Sequence, residues 1–123
     1  MRGRADDVIV SGGLSIAPAP IRRCIRQLDE ASDAWIMPTD DTKWGQVVTA
    51  LIVPREAPID ATAMASLGQR IRDHVASTLG RMQAPRRVVA VDSLPYLGFD
   101  KVDRAAAASL ASSLAGTDRD WRR

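Results

Sequence analysis

Gln46-Val47-Val48-Thr49-Ala50-Leu51-Ile52-Val53-Pro54 is the stretch on which the fold turns. Val47, Val48, Thr49, Ile52 and Val53 are β-branched and stiff, which suits an extended, pleated backbone. Pro54 has no N–H to give to a ladder and closes the run. After a loop bracketed by Pro54 and Pro58, Asp60 offers an N-cap for a helix over Ala61 to Leu79. Met64, Leu67, Ile71, Val75 and Leu79 recur almost every fourth residue, the spacing of one buried helix face. Gly80 ends that helix, and Arg87-Val88-Val89-Ala90-Val91 reads as the next strand.

Outward from this centre the signals are shorter. Toward the N-terminus, Val8-Ile9-Val10 and Leu14-Ser15-Ile16 flank Ser11-Gly12-Gly13, which predicts a β-hairpin. Pro18 and Pro20 are compatible with a first helical turn, and Ile21, Cys24, Ile25 and Leu28 give an apolar face to a helix over about 19–28. Arg22, Arg23 and Arg26 are then expected on the opposite side. Ala34 to Met37 predicts a short strand ending at Pro38, and Thr39 to Lys43 a polar loop. Toward the C-terminus, Leu94 to Lys101 predicts a loop. Val102 to Leu114 is a helix started by Asp100 or the loop before it, and residues 116–123 are a frayed tail. The order predicts a small α+β domain: an N-terminal β-hairpin and a roughly three-stranded sheet packed by helices.

Composition excludes several classes of function. A chain of 123 residues is one domain. No stretch reaches the roughly 18 apolar residues of a membrane helix, and the N-terminus turns acidic at Asp6-Asp7 where a signal peptide turns apolar. The expected location is the cytoplasm, with no membrane partner. A single cysteine, Cys24, and a single histidine, His74, leave no disulfide framework and no Cys- or His-based metal site. Cys24 falls on a buried helix face and His74 at the edge of one, so neither is expected to be a nucleophile or base. A net charge of +2 and few aromatic residues give no basis for nucleic-acid binding.

No phosphate-binding G-x-x-x-x-G-K-[ST] or G-x-G-x-x-G run occurs. Two places carry chemistry. At Gly12-Gly13, with Arg4 and Asp6 just upstream, the backbone is either a plain hairpin turn or a surface that a ligand can approach closely. Lys101, after a loop with Pro95 and Gly98, is either a solvated lysine or a cation carried to a phosphate or carboxylate.

Four segments taken together resemble one family. Gly3-Arg4-Ala5-Asp6-Asp7-Val8-Ile9-Val10-Ser11-Gly12-Gly13, with Ile16 and Pro18, is similar to the G-R-x-D-D-x-I-x-x-G-G-x-x-I-x-P segment of acyl-adenylate-forming enzymes, the acyl-CoA synthetases and their relatives. Trp44-Gly45-Gln46 followed by Val48, Ala50 and Val53 resembles their W-G-Q-x-V-x-A-x-[IV]-V strand. Ala84-Pro85 resembles a strand entry of that family, and Leu94-Pro95 with Lys101-Val102-Asp103-Arg104 its L-P-x-x-x-x-G-K-[IV]-x-R. The matches follow the family's order and span nearly the whole chain. Gly-Gly-Leu-Ser-Ile-Ala-Pro-Ala-Pro-Ile from Gly12 to Ile21 and the run Lys101 to Arg104 look most like the o-succinylbenzoate–CoA ligases of actinobacterial menaquinone synthesis.

The resemblance implies that residues 1–123 are the mobile C-terminal domain of an AMP-forming acid–CoA ligase, with its hinge at Asp6. The partner is the large N-terminal adenylation domain, in the same or a separate chain. ATP and CoA are implied as co-substrates beside a small carboxylic acid, and Mg2+ is held through that large domain. By the same resemblance Arg4 contacts nucleotide and Lys101 is the catalytic cation of adenylation. Gly12 and Gly13 line the pantetheine tunnel, and Trp44 flanks CoA or packs at a strand start. Lys101 is expected on the surface shared by Asp6 and the Gly12-Gly13 bend, and this chain alone is expected to be inactive. Asp100 departs from the glycine usual before the lysine, and Met82 and Ala84 stand where some relatives carry aromatic and arginine contacts to CoA. Arg22, Arg23 or Arg86 are candidates to replace them. The competing reading is a free-standing, non-catalytic module that binds an adenylating domain or CoA.

Overall fold

The computed structural model describes residues 8–99 and 101–123. The expected hairpin forms from β1 (Ile9–Ser11) and β2 (Leu14–Ile16), antiparallel with Ile9 opposite Ile16. Helix α1 (Pro18–Arg26) follows, with Pro at its start and no side-chain cap. Strands β3 (Ala31–Asp41) and β4 (Gly45–Pro54) make a long antiparallel pair. Helix α2 (Ala61–Leu79) begins where Asp60 accepts from the Ala63 N–H at 2.8 Å and ends at Gly80. A 3-10 turn (Arg81–Gln83) leads to β5 (Arg87–Ala90), and α3 (Arg104–Ser113) precedes β6 (Asp120–Arg122). The architecture is a small α+β domain, as the element pattern predicted.

The sheet order is β3-β4-β5-β6. The β4–β5 pair is parallel and the outer pairs are antiparallel. Parallel neighbours need a crossover, and α2 supplies it. Alternate residues of β4 then serve two cores. Val48, Ala50 and Ile52 pack with Ile21 and Ile25 of α1 and Met64, Ile71 and Val75 of α2. Leu51 faces the other way and packs with Val89, Val102, Ala107 and Ala111 on the α3 side. Helices on both faces explain why β4 reads as a nearly unbroken apolar run rather than an alternating one.

Three expectations are corrected. The tail is not frayed throughout: residues 120–122 form β6, making four strands rather than three. Arg87 is buried in the sheet and donates from Nε to Asp120 at 2.8 Å and from Nη2 to the Ala111 carbonyl at 2.6 Å. A buried guanidinium needs a fixed carboxylate, and that carboxylate holds the tail. Strand β3 runs on through Pro38 to Asp41, beyond the expected stop. It is an edge strand, where a missing N–H is tolerated. Helix α3 starts later than expected, because Asp103 is the cap, accepting from Ala106 N–H at 3.1 Å.

Trp121 seals β6 against α2. A Cβ placed on Gly68 would stand 2.6 Å from Trp121 Cε3, inside contact distance. Gly68→Ala is therefore expected to destabilise by up to about 2 kcal/mol. Overpacking costs about 1–3 kcal/mol, and alanine's better helix propensity returns only about 1 kcal/mol. Urea unfolding reads this as a lower midpoint at constant slope; a raised midpoint would mean that the ring yields freely.

Candidate functional site

Two hydrogen bonds hold the hairpin to the start of β4, and two more close the turn beside it. Gly12 N–H donates to the Trp44 carbonyl at 3.0 Å, and Val10 N–H donates to Gln46 Oε1 at 3.0 Å. Asp41 Oδ2 accepts from Lys43 and Trp44 N–H, both at 2.9 Å, which closes the β3–β4 turn and aims the indole. Gly12 and Gly13 have φ of +57° and +82°, a left-handed region that side chains disfavour. Their surroundings differ. A Cβ on Gly12 would lie 2.9 Å from Trp44 Cε3, whereas one on Gly13 would meet nothing within 4 Å. Gly12 lies against the ring, and Gly13 presents bare backbone to open space. The Trp44 ring also carries the Arg86 guanidinium at 4.4 Å and the Lys43 ammonium at 5.4 Å from its centroid. This end of the domain therefore combines a glycine bend, an indole and cations.

Lys101 is exposed, on a loop with a tight base. Tyr96 bridges to Val102, Leu97 N–H donates to the Lys101 carbonyl at 2.5 Å, and Asp103 N–H donates to the Pro95 carbonyl at 2.7 Å. Tyr96 is the anchor. Its hydroxyl donates to Asp33 Oδ2 in a short bond and accepts from Arg22 Nη2 at 3.1 Å. Burial and the Asp33 carboxylate together raise the Tyr96 pKa, so the phenol stays a donor. Arg22 also donates from Nε to the Ala34 carbonyl at 2.6 Å and stands 5.4 Å from the Trp35 ring. Arg22 is thus half-buried against β3 rather than directed to the solvent side of α1, because Ala34, Asp33 and Tyr96 all need its donors. Sequence reasoning missed this anchor. The only available signal was a tyrosine placed two residues after Leu94.

The expected common surface for Lys101 and the bend is not what the structure shows. Tyr96 ties the lysine loop to Asp33, which pairs with Val53 near the end of β4. The bend is tied to Trp44, just before β4 begins. At a rise of about 3.3 Å per residue, the two anchorages are separated by about 30 Å of strand. The loop packs with the α3-side core and the hairpin with the other core. The strand register dictates this separation, so the two places cannot enter one pocket together. Arg4 and Asp6 lie outside the described residues, as does Asp100.

The remaining candidates are structural. Cys24 is buried, and His74 Nε2 lies 3.1 Å from the Cys24 carbonyl, joining α2 to α1. Among the described residues no group of three or more His, Cys, Asp or Glu stands together as a metal would require. These residues do not fit a magnesium site. No helix among the described residues is long and apolar enough to cross a membrane.

Comparison with known proteins bears on the whole arrangement. The family described as AMP-binding enzyme C-terminal domain matches residues 24–98. A medium/long-chain-fatty-acid–CoA ligase of Mycobacterium tuberculosis is 36% identical over 104 residues, covering 84% of this chain and 18% of that protein. A probable 2-succinylbenzoate–CoA ligase of Mycobacterium tuberculosis is also 36% identical over 104 residues, covering 85% of this chain and 26% of that protein. The chain thus spans about a fifth to a quarter of the length of these relatives. Among solved structures, an acyl-CoA synthetase of Brucella canis has the same fold, with a TM-score of 0.74 and 23% identity over 90% of this chain and 20% of that one. A malonyl-CoA ligase in a ternary product complex with methylmalonyl-CoA and AMP is 30% identical, with a TM-score of 0.62 over 75% of this chain and 19% of that one.

Proposed function

We propose, from the premise that this chain belongs to the AMP-binding enzyme C-terminal domain family, that it is the mobile domain of an ATP-dependent acid–CoA ligase and works by presenting its two ends in turn. The observation that carries this reading is the separation of the exposed Lys101 loop from the Gly12-Gly13 bend along β4. One face serves adenylation and the other thioester formation. The partner is a large adenylation domain that completes both sites, joined near Asp6. By itself this chain is inactive, and the reaction is placed in the cytoplasm.

In the first half-reaction a carboxylate oxygen attacks the α-phosphorus of ATP, and pyrophosphate leaves. Lys101 supplies a positive charge that orients the carboxylate and stabilises charge at the reacting oxygens. Arg4 contributes to holding the nucleotide. In the second half-reaction the thiol sulfur of CoA attacks the acyl carbon, AMP leaves, and the thiol proton is released. Gly13 leaves the pantetheine arm room beside the backbone, and Trp44 with Gly12 forms the adjoining wall. We infer that the acid is an o-succinylbenzoate-like aromatic acid of menaquinone synthesis, a reading supported by the run from Gly12 to Ile21 and by the matched 2-succinylbenzoate–CoA ligase, beside which a fatty-acid–CoA ligase matches at the same identity.

Gly13→Leu tests the second face. In the two-domain enzyme it is expected to lower thioester formation from supplied acyl-adenylate at least about tenfold, with pyrophosphate release changed less than about threefold. Gly13→Asn, which tolerates the left-handed backbone better, separates blockage from backbone strain. Equal loss of both half-reactions in Gly13→Leu would contradict the assignment.

A further inference from the structure

The loop that carries Lys101 is tied near the start of β3 at both of its limbs. On the first limb, the Tyr96 hydroxyl donates to Asp33 Oδ2 in a short bond and accepts from Arg22 Nη2 at 3.1 Å. The two oxygens of Asp33 divide the work. Oδ1 accepts from Ala34 N–H at 2.8 Å and faces Arg22 Nη2 and Arg26 Nε at 3.5 and 3.6 Å, which leaves Oδ2 to the phenol. Arg22 is itself fixed, donating from Nε to the Ala34 carbonyl at 2.6 Å. On the second limb, Arg104 opens α3 and stands 5.9 Å from the Trp35 ring centroid, which Arg22 approaches at 5.4 Å. Asp33 and Trp35 lie two residues apart in β3, so both limbs rest on one short piece of strand.

Between the limbs the backbone is pinched. The Tyr96–Val102 bridge, the bond from Leu97 N–H to the Lys101 carbonyl and the bond from Asp103 N–H to the Pro95 carbonyl join them. The Tyr96 side chain therefore holds, through a single short ladder, the backbone from which the Lys101 stem leaves. That stem is flexible, so the backbone beneath it decides where the ammonium can reach. The hydroxyl bond itself does little for folding. Tyr96 is 38% exposed and the Asp33 side chain 21%, so water can satisfy either partner when the other is removed. A phenol, a carboxylate and a guanidinium closed in a triangle supply fixed geometry instead. Tyr96 falls at a position that the motif L-P-x-x-x-x-G-K-[IV]-x-R leaves open, so this clamp is a feature of this chain's own residues.

We propose that Tyr96, held by Asp33 and Arg22, is a positioning residue for adenylation: it touches no reacting atom and sets where the Lys101 ammonium is presented. The inference rests on the adenylating role assigned above to Lys101.

The test is Tyr96→Phe, which keeps the ring and removes the hydroxyl. In the two-domain enzyme, single-turnover pyrophosphate release at saturating ATP and acid is expected to fall about tenfold, because a misplacement of about 1 Å can cost up to about 10² in rate. The KM for ATP and thioester formation from supplied acyl-adenylate are expected to stay within about twofold, which separates positioning from a general loss of structure. On a Lys101→Ala background, adding Tyr96→Phe is expected to slow pyrophosphate release by no more than about twofold, since the hydroxyl acts through the ammonium. In the full 123-residue chain, amide hydrogen exchange at Leu97 and Asp103 is expected to quicken at least about fivefold in Tyr96→Phe, with Leu51 and Val89 in the sheet unchanged. Unchanged pyrophosphate release, equal loss in both half-reactions, a further large loss on the Lys101→Ala background, or unchanged exchange at Leu97 and Asp103 would each overturn the proposal. If Lys101→Ala itself leaves pyrophosphate release intact, the lysine's role fails and the positioning role with it. If Lys101→Ala fails selectively and Tyr96→Phe does not, the lysine's role stands and the positioning role alone fails.

Discussion

Lys101→Ala is expected to lower acyl-adenylate formation by about 10²–10³-fold in the two-domain enzyme and to leave thioester formation from supplied acyl-adenylate within about threefold. The size follows from the job. Removing one preorganised group that stabilises charge in a water-poor site costs about 10²–10³ in rate. The selectivity follows from position. Lys101 is exposed on a loop anchored through Tyr96 and Asp33 near the far end of β4 from the bend. Under the proposed alternation, the lysine loop is turned away when the bend faces the reaction. Lys101→Arg is expected to recover only part of the rate, because a planar fork does not replace a compact ammonium. Pyrophosphate release and thioester formation measured separately give both numbers, and a comparable loss in both would remove the lysine from the adenylating face.

Asp120→Ala is expected to produce the largest loss of stability, about 3–5 kcal/mol, the usual cost of leaving one member of a buried ion pair alone. The Asp120 side chain is 1% exposed and that of Arg87 6%. Asp120 accepts from Arg87 Nε at 2.8 Å, from Gly116 N–H at 2.8 Å and from Arg122 at 3.2 Å. Its removal strands Arg87 within the sheet and releases β6, and with it Arg123. Against a typical domain stability of about 5–15 kcal/mol, that loss is a large share. The pH dependence follows. Burial alone would raise the Asp120 pKa, but hydrogen bonds from Arg87 and Gly116 and the charges of Arg87 and Arg122 outweigh it and lower the value. A carboxylate with a lowered folded pKa contributes stability above its unfolded value of about 3.9 and loses it as pH falls through the folded one. The gap between wild type and Asp120→Asn in denaturant melts is therefore expected to be full near neutral pH and to close in acid below about pH 4. A gap independent of pH would show that the carboxylate charge contributes nothing.

Local chemistry and long-range pairing divide what could be read from the residues. The bounds of α2 agree with the reading because Asp60 and Gly80 punctuate an apolar stripe whose period is local. The hairpin agrees because only glycines adopt the positive φ values its turn needs. Strand β6 escaped because Asp120-Trp121-Arg122 has no run of β-branched residues. What makes it a strand is distant: Arg87 seeking a carboxylate and Trp121 seeking the bare backbone of Gly68. The reading placed the start of α3 at Asp100 or the loop before it, whereas the side chain that caps the helix is that of Asp103.

The candidate site divides in the same way. Lys101, Gly12, Gly13 and Trp44 were visible as motifs, and the structure brings Gly12 against Trp44. Their separation into two ends was not visible, because it depends on which end of β4 each loop is tied to. Neither the Tyr96–Asp33 bond nor the Gly12–Trp44 bond has a periodic signature.

The most direct measurement of alternating use crosses two variants with two half-reactions. Lys101→Ala and Gly13→Leu are each assayed in the two-domain enzyme under single-turnover conditions for pyrophosphate release and for thioester formation from acyl-adenylate. Alternating use predicts that the lysine variant fails only the first and the glycine variant only the second. Both variants failing the same half-reaction would contradict it.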